Sequence, residues 1–152
     1  MSDIEIRFAS HNQLNSWMDL IDQVRWNFPG LETPELLDGH RETVIKNINR
    51  RSAICAIHNG VVIGALLFST KHQMLSFLAV HPKYRQKGIA TKMVTLMLEQ
   101  MPADQDVVVT TFRENDEKGV APRALYQKLG FVEAELTSEF NYPLQKFVLH
   151  RS

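Results

Sequence analysis

The chain has a single cysteine among its 152 residues, which excludes an intramolecular disulfide framework. No apolar run approaches the ~20 residues needed to span a bilayer. No sign of charge prevails: seventeen Lys and Arg balance seventeen Asp and Glu, so no overall field draws the protein to nucleic acid or an anionic membrane. Neither G-x-G-x-x-G nor a glycine-rich loop ending in G-K-[ST] is present, which disfavours a dinucleotide fold and a Walker nucleotide site. The six histidines (His11, His40, His58, His72, His81, His150) show no metal-ligand spacing, and one cysteine makes no zinc site. Met1-Ser2-Asp3-Ile4-Glu5 is polar and acidic, where a secretory signal would be basic and then apolar. No linker, repeat or low-complexity stretch interrupts the chain. These absences lead us to expect one cytoplasmic domain over residues 1–152, with no metal.

What is present suits a folded core: 44% hydrophobic and 22% charged residues, ordinary for a globular chain of this size. A short strand is expected over Glu5–Ala9. Leu14, Trp17, Met18, Ile21 and Val24 recur at helical spacing in Asn12–Phe28, which Pro29-Gly30 ends. Thr33-Pro34 can open a turn of helix, and Val44, Ile45 and Ile48 make Glu42–Arg50 a second amphipathic helix. Ser52–His58, Asn59-Gly60 and Val61–Ser69 read as a hairpin, because Asn-Gly supplies the positive φ angles of a tight turn. Strands are expected over Gln73–Val80, Asp106–Phe112, Phe131–Thr137 and Lys146–His150, and a short helix over Ala121–Leu129. The pattern is α+β: about seven strands in a mixed, mostly antiparallel central sheet flanked by helices.

The most informative segment is Gln73–Val80 followed by His81–Lys87 and the helix Gly88–Gln100. Pro82 stops the strand, since proline cannot donate to a ladder. The helix start leaves backbone N–H groups unpaired and carries partial positive charge. Gly88 allows close approach to the backbone, and Lys83, Arg85 and Lys87 surround the turn. Together they suit a phosphate or pyrophosphate.

Arg85-x-x-Gly88-x-Ala90 after an apolar strand and a Pro-containing turn resembles the acyl-CoA pyrophosphate loop of the GNAT superfamily of N-acetyltransferases. Ala124-Leu125-Tyr126-Gln127-Lys128-Leu129-Gly130-Phe131 resembles that superfamily's second hallmark, a tyrosine-bearing helix ending at a Gly-Phe step. The resemblance covers roughly Ile54 to Val148. It implies the acyl-CoA N-acyltransferase fold, in which Gln73–Val80 and Asp106–Phe112 start together and splay apart. It further implies that backbone groups of Leu78, Ala79 and Val80 meet the pantetheine arm of acetyl-CoA. The amides of the turn, Arg85, Gln86, Lys87, Gly88, Ile89, Ala90 and Thr91, would hold the pyrophosphate. The acceptor would be an amine on a small molecule or a peptide, shaped by the N-terminal helices and the loop Ser138–Pro143; a homodimer is compatible with it.

Attack of an amine on a thioester needs removal of the ammonium proton, donors for the oxyanion, and an acid for the departing thiolate. By the resemblance, the Val80 amide is the oxyanion donor and Tyr126 the acid. The alternative for Tyr126 is a ring packed beside Leu125 and Leu129 with a structural hydroxyl bond. The base stays open. Some family members use a Glu on the strand before the phosphate turn, but Met74–Val80 contains no acid. Ser76 could relay a proton through water; Glu114, Asp116, His72, Glu32, Glu35 and Asp38 are further candidates, as is a water chain. A second departure is Gly119, where many members carry an Asn. Arg123 could then reach the cofactor's phosphates or be an ordinary exposed arginine. Cys55, between Ile54 and Ala56, reads as a buried structural thiol, and Trp17 and Trp26 as core or cleft wall. Two functions follow: direct acetyl transfer from acetyl-CoA to an amine, or a non-catalytic acyl-CoA-binding sensor of the same fold. The acids Glu32, Glu35 and Asp38 would suit a cationic amine.

Overall fold

The computed structural model describes residues 3–151. In chain order the elements are β1 (Ile4–Phe8), α1 (Leu14–Val24), α2 (Pro34–Asn49), β2 (Ala53–His58), β3 (Val61–Ser69), β4 (Met74–Val80), α3 (Ile89–Glu99), β5 (Val107–Phe112), α4 (Val120–Lys128), β6 (Val132–Glu139) and β7 (Tyr142–Leu149). The strands form one seven-stranded sheet in the order β1-β2-β3-β4-β5-β7-β6. Among the described residues only β4 and β5 pair in parallel; the other pairs are antiparallel. The α+β sheet expected from the sequence is the one observed.

Alternation along the strands divides the core between two layers. On one face Ala53, Cys55, Val62, Ala65, Leu67 and Ala79 pack with Trp17, Leu20, Ile21 and Val24 of α1 and Val44 and Ile48 of α2. On the other, Ile54, Ala56, Leu66, Phe68, Leu75, Val107, Val109 and Phe147 pack with Ile89, Met93, Val94 and Met97 of α3 and Tyr126 of α4. None of the described helices is long and apolar enough to cross a membrane.

Three boundaries differ from the sequence reading. The first helix is shorter, because 3₁₀ turns His11–Gln13 and Arg25–Asn27 flank α1. The second is longer. Thr33 accepts from the Leu36 amide at its N-cap, Pro34 fills the first position, and the helix runs unbroken to Asn49 through exposed Gly39. Its fully buried residues, Val44 and Ile48, both lie in the second half, which is why the first half showed no apolar period. Finally, most of Ser138–Pro143 is strand, closed by a two-residue turn at Phe140 and Asn141 with φ of 54° and 59°. These are the positive angles that match strand twist, here without the glycine that announces them.

Candidate active site

The site begins with how briefly β4 and β5 are joined. Their pairing covers Met74↔Val108 and Leu75↔Val109, with Val108 N–H donating to Gln73 O at 2.9 Å; beyond that the strands diverge. On its other side β4 stays paired to β3 as far as Gly64↔Val80. A bulge at Ser76 interrupts that register, since Phe68 opposes Leu75 and Leu67 opposes Phe77. An extra residue shifts the alternation by one. His81 N–H donates to Ile63 O at 2.8 Å, which makes Gly64↔Val80 a non-hydrogen-bonded pair. The backbone groups of Val80, and by alternation Leu78, therefore turn toward the open side facing β5. Those of Ala79 turn onto β3, so the expectation that Ala79 presents free backbone is corrected by the register. Leu78 and Val80 are half-buried rather than buried, because no strand covers the edge they border.

At the open end of β4 the chain enters the basic turn. His81 caps it, its Nδ1 accepting from the Lys83 amide at 3.1 Å while Nε2 meets Gln23 Oε1 of α1 at 3.0 Å. Tyr84 is anchored by His58 Nδ1 at 2.7 Å from its hydroxyl. Arg85 Nε donates to Val80 O at 3.3 Å, which occupies that carbonyl and leaves the Val80 N–H facing the gap. Gln86 and Gly88 both take positive φ, 62° and 78°. Among the described residues the amides of Gly88, Ile89, Ala90 and Thr91 donate to no protein acceptor. A Cβ on Gly88 would meet nothing within 4 Å, so its surroundings are open, while Lys83, Arg85 and Lys87 are exposed beside it.

Tyr126 sits on α4, 4% exposed, its ring 5.7 Å from Phe131 and 6.3 Å from Phe147. It shares an apolar cluster with Ile89 and Val109, against which Leu78 and Val80 pack. Burial raises its hydroxyl well above the usual tyrosine range, which keeps it protonated. Among the described residues the hydroxyl has no hydrogen-bond partner, and the ring is held by its apolar neighbours.

A splayed parallel pair, an amide-rich basic turn at its mouth and a tyrosine beneath it can be compared with known proteins. A model of the Acetyltransferase (GNAT) family matches residues 17–131. The chain belongs to the GNAT family. No curated protein matches it by sequence, but many solved structures share its fold. The N-acetyltransferase of Staphylococcus aureus Mu50 is 21% identical over 99% of this chain and all of its own, with a TM-score of 0.76. YncA of Salmonella typhimurium, solved with its cofactor acetyl-CoA, is 16% identical over 98% and 94% of the two chains at 0.73. The PaiA N-acetyltransferase of Thermoplasma acidophilum, solved with coenzyme A, is 17% identical over 95% and 98% at 0.67. At these identities the likeness is one of fold.

In this GNAT protein the candidate bases are scattered. His72 lies on the β3–β4 turn, at the closed end of the splay. Ser76 occupies the bulge and is exposed. Asp116 is engaged, accepting from the Lys118 amide and the Tyr142 hydroxyl. Glu114 lines an open groove of about 590 Å³ with Arg113, Glu133 and Leu136. Glu32 folds back to accept from the Gly30 amide at 3.0 Å. Glu35 and Asp38 are exposed on α2. β4 itself carries no carboxylate.

The sequence reading missed three features. His40 is mostly buried: Trp17 Nε1 donates to its Nε2 at 3.3 Å, Phe77 of β4 lies 4.9 Å away, and burial lowers its pKa to about 4. The β6–β7 turn reaches the α1–α2 loop, since a Cβ on Gly30 would come within 2.8 Å of the Phe140 ring. Nearby, Lys118 Nζ donates to Trp26 O at 3.3 Å. Trp17 is core, whereas Trp26 is 65% exposed. Third, Arg123 is neither exposed nor turned to the phosphate loop: it is 6% exposed and bonded to three strands. Gly119 is buried against Phe112 and has no room for a side chain, so an Asn at that position would not fit. The pairing of glycine at 119 with arginine at 123, one helical turn apart, was the available signal.

Proposed function

We propose that this protein transfers an acetyl group from acetyl-CoA directly to an amine, as one acyltransferase domain with no covalent acyl-enzyme and no metal. The reading rests chiefly on one observation: β4 and β5 part after Leu75 and Val109, and the bulge at Ser76 turns the backbone of Leu78 and Val80 into the opening. Pantetheine amides would take the Leu78 backbone groups as a strand takes its neighbour's, leaving the Val80 N–H free. The diphosphate would rest on the amides of Gly88, Ile89, Ala90 and Thr91 with Arg85, Gln86 and Lys87 around it. Val80 N–H would stabilise the oxyanion, and Tyr126, kept protonated by burial, would donate to the departing thiolate. With no carboxylate on β4, the ammonium proton leaves through water at the mouth of the gap. A cationic acceptor suits the exposed Glu35 and Asp38.

That missing carboxylate also favours a second reading, a non-catalytic acyl-CoA-binding sensor. The two are separated by measuring thiol release from acetyl-CoA across polyamines, aminoglycosides, amino acids and peptide N-termini, beside calorimetry of CoA binding. Turnover with one class supports the enzyme; tight CoA binding with no turnover supports the sensor; no CoA binding defeats both.

A further inference from the structure

Arg123 has a buried charge that the proposed chemistry does not use. Its Nη1 donates to Phe112 O at 3.0 Å and to Gln145 Oε1 at 2.8 Å, and its Nη2 pairs with Glu133 Oε1 at 2.9 Å. One planar fork thus grips the last residue of β5, the middle of β7 and the start of β6. Gln145 passes the grip on, its Nε2 donating to Ala134 O at 3.0 Å within the β6 bulge. The guanidinium also lies over the Phe147 ring, 4.9 Å from its centroid, and Phe147 is a neighbour of the Tyr126 ring. Arg123 stands three residues before Tyr126 on α4, so the two side chains share a helix face.

Gly119 makes this arrangement possible. A Cβ there would fall 2.9 Å from Phe112 Cβ, 3.1 Å from Arg113 O and 3.2 Å from Arg123 Cδ. The arginine stem and the end of β5 occupy the volume a side chain would need. Without a Cβ the start of α4 closes onto β5, and the fork reaches Phe112 O.

We propose that Arg123, seated by Gly119, is the positioning residue that sets the Tyr126 hydroxyl against the gap. Phe112 is where β5 ends after diverging from β4, so the grip fixes α4 to the strand that forms the gap's far wall. Phe147, between the guanidinium and the phenol, transmits the alignment. Buried charge is costly unless fully bonded, and here an apolar residue would pack without fixing three strands in register. A lysine could not do it either, because a single ammonium lacks the fork.

The inference rests on Tyr126 serving as the acid, and its test keeps the two apart. Tyr126→Phe, Arg123→Met and the double variant are compared for kcat and for KM toward acetyl-CoA, using the fastest acceptor of the amine panel, with thermal melts alongside. Misplacing the hydroxyl by about 1 Å should lower kcat by about 10- to 100-fold. Arg123→Met is expected to lose kcat in that range with KM for acetyl-CoA within about threefold, and to lose nothing more once the hydroxyl is gone. Losses that multiply in the double variant would show that Arg123 does not act through Tyr126. Wild-type kcat in Tyr126→Phe would instead defeat the reading of Tyr126 itself.

Should Arg123→Met fail to fold, Gly119→Ala and Arg123→Lys take its place in the same cycle, with the same outcomes decisive. A second readout needs no acceptor. The chain has three tyrosines, so ring-carbon NMR of labelled tyrosine gives three resonances that single Phe variants assign. Acetyl-CoA should displace the Tyr126 resonance in wild type and displace it much less in the Arg123 or Gly119 variant that still binds acetyl-CoA. Equal displacement in both would overturn the positioning role, and no displacement in wild type would remove Tyr126 from the site.

Discussion

The buried imidazole of His40 makes stability depend on pH in a calculable way. Its Nε2 accepts from the indole N–H of fully buried Trp17, so the folded chain holds the ring neutral, and burial lowers its pKa from 6.5 to about 4. The unfolded chain takes up that proton at higher pH than the folded one. The contribution is therefore fully present above the unfolded value and drains away as pH falls from about 6.5 toward 4. Linkage between those two values amounts to about 2 kcal/mol lost by pH 5, with almost none lost at pH 7.5. For a chain of this length that is about 4–8 °C in melting temperature. His40→Gln retains an acceptor for Trp17 but does not titrate. Urea unfolding of both proteins at pH 7.5 and 5.0 isolates the effect, because carboxylates common to both cancel. Wild type should lose about 2 kcal/mol more than His40→Gln over the interval. Parallel losses would refute the burial argument.

Three further outcomes are expected. Gly88→Val places a branched residue at φ 78°, strained for any L side chain, and fills the open approach to the helix start; calorimetry should show acetyl-CoA binding weakened at least ~10-fold, and unchanged affinity would remove the phosphate seat from Gly88. Tyr126→Phe keeps the ring contacts with Phe131 and Phe147, so melting and CoA affinity should hold while kcat falls by up to about 10²–10⁴-fold; an unchanged kcat with chemistry rate-limiting would exclude the hydroxyl as acid. Cys55 is fully buried and its thiol is pushed up to about 12, so it should resist alkylation in the native protein at pH 8 and react only on unfolding. Rapid native labelling would contradict the burial, and an acetyl adduct on Cys55 by intact mass would contradict direct transfer.

Much of the architecture was legible because the signals are local. Asn59-Gly60 dictates its hairpin, Pro82 ends β4, and the spacing of Leu14, Trp17, Ile21 and Val24 marks the buried face of α1. Phe140-Asn141 carries no glycine, so the strand ends that meet there read as a loop, Ser138–Pro143, between two shorter strands. The first half of α2 buries too little to show a period.

The site divides along the same line. The sequence by itself determined the basic turn and the tyrosine helix, because a helix start after a Pro-containing strand end and a Gly-Phe step are each written within a few consecutive residues. Only the tertiary structure decided which backbone groups face the gap. That choice depends on the register of β4 against β3 and on the bulge at Ser76, a pairing between strands that no single stretch encodes. It also decided the fate of Arg123, by sequence a lone arginine at the apolar start of a short helix. What buries it is the convergence of Phe112, Glu133 and Gln145 from three strands, and a Gly119 whose missing Cβ matters only once β5 is packed against it.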